Sequence, residues 1–181
     1  MTRPETIVPE EPISPFPITQ ESRIISGFGR GSSELGIPTA NIPINKELND
    51  LDTGIYYGWC KLLPHSQEED ELFIRQNGKQ VKVNHGRTLC KEELTALPMV
   101  MSIGWNPFYH NKEKAAEVHI IHKFDTDFYG ASVKYNVLGY IRPELNYTTK
   151  EALIDDINLD IKIAKEILET KDNYSQFKYK L

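Results

Sequence analysis

Between residues 22 and 141 the chain is a series of short β-rich runs cut apart by Gly, Pro, Asn and Asp, with no helical period between them. Parallel strands need long crossover connections, usually helical, so this texture excludes a doubly wound sheet and points to an antiparallel barrel or sandwich. The expected strands are 23–27, 54–62, 80–83, 99–103, 116–122 and 132–141. The reading is therefore mainly β, an antiparallel barrel or sandwich of about six strands.

Both ends differ from this centre. Five of the 11 prolines fall in the first 17 residues (Pro4, Pro9, Pro12, Pro15, Pro17). Proline fixes φ and donates no backbone hydrogen bond, so residues 1–20 are expected to form an extended arm lying on the domain or trailing from it. The arm carries no candidate chemistry, and its removal is expected to leave catalysis nearly intact. At the other end, Thr148-Thr149-Lys150-Glu151 predicts a capping box with Thr148 at the N-cap. Leu153, Ile157, Ile161, Ala164 and Leu168 then recur every three or four residues and predict a helix over about 148–169, covering an open face of the barrel. Residues 64–97 are polar and weakly patterned, with Asn77-Gly78 as a hairpin turn, and are read as a surface excursion with a β-hairpin. A chain of 181 residues fits one barrel domain, 21–181, behind the arm.

Charge and cysteine content narrow the function. A net charge of −5 argues against a general nucleic-acid binder. Cys60 and Cys90 form no CxxC pair, so reduced thiols in a cytoplasmic protein are expected. No apolar run is long enough for a membrane span, and the acidic, proline-rich N-terminus fits neither a signal nor a transit peptide.

The densest chemistry lies in 27–41, GFGRGSSELGIPTAN. Four glycines in ten residues let successive N–H groups form an anion-binding concavity, and Arg30 and Ser32 add donors suited to phosphate. A bare glycine-rich turn would be structural, but Pro38-Thr39-Ala40-Asn41 follows it. On a strand, the Thr39 hydroxyl and the Asn41 amide oxygen face the same way, as hard ligands of the type Mg²⁺ accepts. The loop is neither a Walker motif nor a protein-kinase loop. A second stretch, 115–122, places Glu117, His119 and Ile121 on one strand face and Val118, Ile120 and His122 on the other. A carboxylate among Ala, Val and Ile is a general base, a metal ligand or a residue at the sheet rim. The two histidines read first as structural hydrogen-bonding groups. Two further stretches, 101–109 and 138–147, end strands in aromatic, proline-containing loops, which are core plugs or an apolar slot with one Arg suited to a flat heterocycle.

In order, GFGRGS, LGIPTANIP, GIYYGW, MSIGWNPFY, EVHIIH, DFYG and LGYIRPELNY closely resemble the riboflavin kinase family of eukaryotes, also found as the kinase half of bacterial bifunctional FAD synthetases. The resemblance covers roughly residues 22–160. It implies a six-stranded Greek-key barrel with a C-terminal helix, and transfer of the ATP γ-phosphate to the 5′-hydroxyl of riboflavin, giving FMN. It makes Thr39 and Asn41 metal ligands, with Mg²⁺ expected and Zn²⁺ or Mn²⁺ as alternatives. It makes Gly27, Gly29, Arg30, Gly31, Ser32 and Ser33 the phosphate cradle, and Glu117 the catalytic base. Ile120, His122 and Tyr129 fall on the nucleotide side, and Arg142, Leu145 and Tyr147 on the flavin side. The expected partners are riboflavin and FMN, ATP and ADP, with the protein acting as a monomer. Animal members often carry Lys where this chain has Ser33, and the 64–97 excursion is longer than in compact members. It inherits no role and is expected to sit away from the site. A non-catalytic flavin-binding barrel would explain the aromatics but not PTAN. A cupin-like metalloenzyme would explain Glu117 and His119 but not the glycine loop.

Overall fold

In the computed structural model, which describes residues 2–25, 39–74, 78, 80–105 and 113–181, six strands form one antiparallel sheet. They are β1 (Ile18–Arg23), β2 (Ala40–Ile42), β3 (Gly54–Leu63), β6 (Leu97–Trp105), β7 (Lys114–Ile120) and β8 (Ser132–Arg142), in the spatial order β1-β8-β3-β6-β7-β2. The strands β3, β6 and β7 form a meander, and β8 returns beside β3, which is the Greek-key arrangement. The sheet curls so that its two edges approach, and the Ile25 N–H donates to the Asn41 carbonyl at 2.9 Å. The excursion contributes a separate hairpin, β4 (Glu71–Ile74) with β5 (Gln80–Val83).

Strand alternation divides the apolar residues between two cores. Met99, Met101 and Ile103 of β6, and Ala116, Val118 and Ile120 of β7, point inward with Tyr56, Leu62, Val133, Tyr135 and Val137. On the outer face, Tyr57, Trp59, Val100, Leu138 and Ile141 are covered by Ala164, Ile167 and Leu168 of helix α2 (Lys150–Thr170) and by Tyr174. The helix covers the sheet as its apolar stripe predicts.

Several boundaries differ from expectation. The first strand spans 18–23 and ends where the predicted one begins. Residues 80–83 do form a strand, but in the excursion's hairpin, and β2 takes the sixth place in the main sheet. The strand β7 stops at Ile120, two residues early, so His122 is not placed by alternation. The helix N-cap is Thr149, not Thr148. Its Oγ1 accepts the Ala152 N–H at 3.1 Å, which moves the start by one residue. The short helices α1 (Lys46–Asn49), capped by Asn45, and α3 (Asp172–Ser175) were not predicted.

The arm lies on the domain as far as Pro17, and residues 18–20 belong to β1. Arg3 pairs with Asp156 at 3.1 Å and with Asp160 at 2.7 Å, both on α2. The Thr6 hydroxyl donates to the Ile141 carbonyl, Tyr174 donates to Pro9 and Asn173 to Glu10. Each such bond contributes net roughly 0.5–1.5 kcal/mol. At about 2–4 °C per kcal/mol for a chain of this size, a protein lacking residues 2–14 should melt roughly 5–15 °C lower. Thermal unfolding followed by circular dichroism checks this, and an unchanged midpoint would mean the arm contributes nothing.

Candidate active site

The pairing of β2 with β7 sets Asn41 directly opposite Glu117, and the pairing of β7 with β6 sets Glu117 opposite Ser102. Directly opposed residues share a face, with Cβ atoms roughly 4.5–5.5 Å apart. An amide, a carboxylate and a hydroxyl therefore stand in one row across three strands. The row continues through Ile55 of β3 to Arg142 of β8. Its flanking residues Ala40, Ile42, Ala116 and Val118 are buried in the barrel, which places the row on the outer face.

Thr39 lies just before β2 and lines a cavity of about 270 Å³ with Ala40, Val118, Ile120 and the loop 124–129. Ile120 and Tyr129 are thus in one wall system with Thr39. His122 stands beside it, its ring 4.6 Å edge-on from Phe124, which is itself part of the lining. Glu117 does not line the cavity; it is on the opposite face of β7 from Val118 and Ile120. Thr39 and Asn41 therefore lie where the cavity meets the Glu117 row. Gly27, Gly29, Arg30, Gly31, Ser32 and Ser33 lie outside the described residues, as do Asn77 and residues 106–109.

Burial pushes the Glu117 carboxyl above the usual carboxylate range, because the charged form loses solvation there. That makes it a stronger proton acceptor than a free glutamate. Thr39, Asn41 and Glu117 supply hard oxygens, a donor set that fits a small divalent cation sharing its remaining positions with phosphate and water.

The loop after β8 crosses the same outer face. Gly104 pairs with Ala115, two pairs along the ladder from Ser102 and Glu117 and on the same face, and a methyl at Gly104 would strike the Glu144 carboxylate. The Glu144 side chain therefore rests on β6 near Glu117, and burial raises its carboxyl despite the opposing Arg142 charge. Arg142 is 3% exposed, with its guanidinium committed to Asp160 at 2.8 and 2.9 Å and to the Pro143 carbonyl at 3.1 Å. Tyr147 donates to Asp156, and burial together with this bond pushes its hydroxyl up to about 12. Leu145, between them, is half-buried.

Sequence reasoning missed Ser102, Glu144, Asp160 and the 124–128 part of the cavity wall. Of these, Ser102 and Glu144 lie in the stretches MSIGWNPFY and LGYIRPELNY, and Asp127 and Phe128 in DFYG, without a role drawn for them, while Asp160 gave no signal. The excursion also departs from its expected place. The Asn84 side chain donates to the Asp127 carbonyl, and the His85 N–H donates to the Tyr129 carbonyl, so residues 84–93 touch the cavity wall.

Comparisons with known proteins give the family and the fold. The riboflavin kinase (Flavokinase) family model matches residues 14–168. The riboflavin kinase of Scheffersomyces stipitis is 67% identical over 98% of this chain and 99% of its own length. The riboflavin kinase of Saccharomyces cerevisiae is 52% identical, over 96% of this chain and 82% of its own. Among solved structures, riboflavin kinase from Trypanosoma brucei superposes with a TM-score of 0.62 at 25% identity, covering 89% of this chain and 85% of that one. A macrolide-efflux protein from Streptococcus pneumoniae shares the fold alone, at TM-score 0.52 and 20% identity over 82% of this chain and 38% of that one. Matched by the family model over most of its length and by curated relatives nearly end to end, the chain belongs to the riboflavin kinase family.

Proposed function

We propose that the chain transfers the γ-phosphoryl group of ATP to the 5′-hydroxyl of riboflavin, giving FMN and ADP. The observation that carries this reading is the in-register apposition of Asn41 and Glu117 beside the Thr39-lined cavity, in a member of the riboflavin kinase family. The cavity takes the nucleotide, with Ile120 and Tyr129 against it and His122 alongside. Glu117 orients the 5′-hydroxyl and accepts its proton as the new O–P bond forms and the β–γ bridge bond breaks to release ADP. The Thr39 and Asn41 side-chain oxygens hold the divalent cation, Mg²⁺ first. When bound, that ion supplies charge neutralisation on the phosphoryl oxygens. The 27–33 loop supplies further amide donors to the phosphates.

Flavin recognition falls to the loop 142–147. Arg142 acts there as an anchor, because its guanidinium is committed to Asp160, leaving its backbone, Leu145 and Tyr147 to meet the ring system. Among the described residues no helix is long and apolar enough to cross a membrane. The free cysteines suit the reducing cytoplasm. The sheet's two faces are occupied by the chain's own core and helix, which suits a monomer. Purified protein given riboflavin, ATP and Mg²⁺ should form FMN and no FAD, followed by chromatography. Accumulation of FAD by homogeneous protein would contradict a chain with kinase chemistry alone.

A further inference from the structure

The cavity wall 124–129, with His122 just before it, has no helix or strand of its own, yet it is braced at several points by one segment far off in sequence. Glu93 reaches His122 at 3.1 Å, and Thr88 bonds Thr126 hydroxyl to hydroxyl at 2.8 Å. The Asn84 amide donates to the Asp127 carbonyl at 2.8 Å, and the His85 N–H donates to the Tyr129 carbonyl at 2.8 Å. Four contacts from residues 84–93 thus hold His122, Thr126, Asp127 and Tyr129. The segment is itself fixed. The Asn84 side chain accepts the Gly86 N–H, and the Glu93 carboxylate accepts the Cys90 N–H. His85 is 3% exposed with φ at +57°, packed under Gly130. Gly130 is at φ +85°, where a side chain is both strained and blocked by the imidazole. Arg23 closes the far end by donating to the Gly130 carbonyl at 2.6 Å.

We infer that residues 84–93 of the excursion are the positioning element of the nucleotide wall and set how tightly the protein holds ATP. An irregular loop left to itself must be ordered when ligand binds, and that ordering subtracts from affinity. Cross-bracing orders the loop beforehand. Its loss is therefore felt in nucleotide affinity and spares the flavin side, which is held by α2 and the arm. This inference rests on reading the cavity as the nucleotide site.

The test uses the full chain with Asn84→Ala and, separately, Thr88→Val, whose position is exposed and leaves the fold intact. Calorimetric Kd for MgADP and the KM for ATP should each rise roughly three- to tenfold, the range expected for one lost hydrogen bond. The KM for riboflavin should stay within about twofold. A purely structural brace would lower the melting temperature and leave Kd and KM for nucleotide unchanged, and that result overturns the inference. Wild-type protein that binds no MgADP would instead refute the cavity reading itself, and this inference with it.

Discussion

Glu117→Gln should fold normally, bind both substrates nearly as well as the parent, and lose about 10²-fold in kcat. Removing a general base costs roughly 10²–10⁴-fold, and the loose transition state of phosphoryl transfer puts less demand on the base, favouring the lower part of that range. The pH profile makes the prediction more specific. Burial raises the Glu117 pKa, so the acidic limb of kcat should be centred above the usual glutamate value of about 4.3. Activity falls as the pH drops through the raised pKa and the base is protonated, and the glutamine variant should lack this limb. The sign for stability is opposite. A carboxyl whose folded pKa is raised contributes stability at low pH that is lost as the pH rises through that pKa. At neutral pH the glutamine variant should therefore be at least as stable as the parent. Unchanged kcat would return Glu117 to a role at the sheet rim. An equal loss of stability would instead make it structural.

Thr39→Val should cut kcat/KM for ATP steeply and raise the divalent-metal concentration needed for half-maximal rate. Valine keeps the β-branched shape, so the chain entering β2 is undisturbed. Only a hydroxyl is lost. If that hydroxyl served a structural hydrogen bond alone, the cost would be about 1–3 kcal/mol of stability, with turnover of the folded protein intact. If it holds the cation at the phosphates, the damage is to catalysis, because charge neutralisation is a main source of rate in this reaction class. Riboflavin binding measured alone should change little. Asn41→Leu should behave alike, and the double variant should be far less than additive, because both oxygens serve one ion. A Thr39→Val protein with a lower melting temperature but a normal metal titration and turnover would overturn the assignment.

Which elements were legible in the sequence follows from how local their causes are. The strands β3, β6 and β8 are long runs bounded by turn residues, and their cores lie within two residues of the predicted limits. The strand β2 is three residues long, between Pro38 and Pro43, and gives no period to read, although its Asn41 stood out chemically. The strand β1 reads ITQESR, mostly polar because it is an edge strand with little buried beyond Ile18, and the more apolar Ile24-Ile25 drew the prediction downstream. The hairpin of β4 with β5 was expected from the Asn77-Gly78 turn, but β4 received no bounds, since Leu72, Phe73 and Ile74 are apolar yet exposed and give no alternation to read. Glu117 was conspicuous as a carboxylate among small apolar residues. That it faces Asn41 is a property of strand register, which is set by contacts far apart in sequence. The same holds for Arg3, Asp160 and Arg142, which meet only once arm, helix and sheet are assembled.

The most direct measurement follows the phosphorus. Homogeneous protein is incubated with riboflavin, a divalent metal and ATP labelled with ³²P at either the γ or the α position, and the flavins are separated. FMN should carry the γ label and none of the α label, with transfer lowered about 10²-fold in Glu117→Gln. No labelled flavin under any divalent metal, or α label in the product, would contradict the proposed phosphoryl transfer.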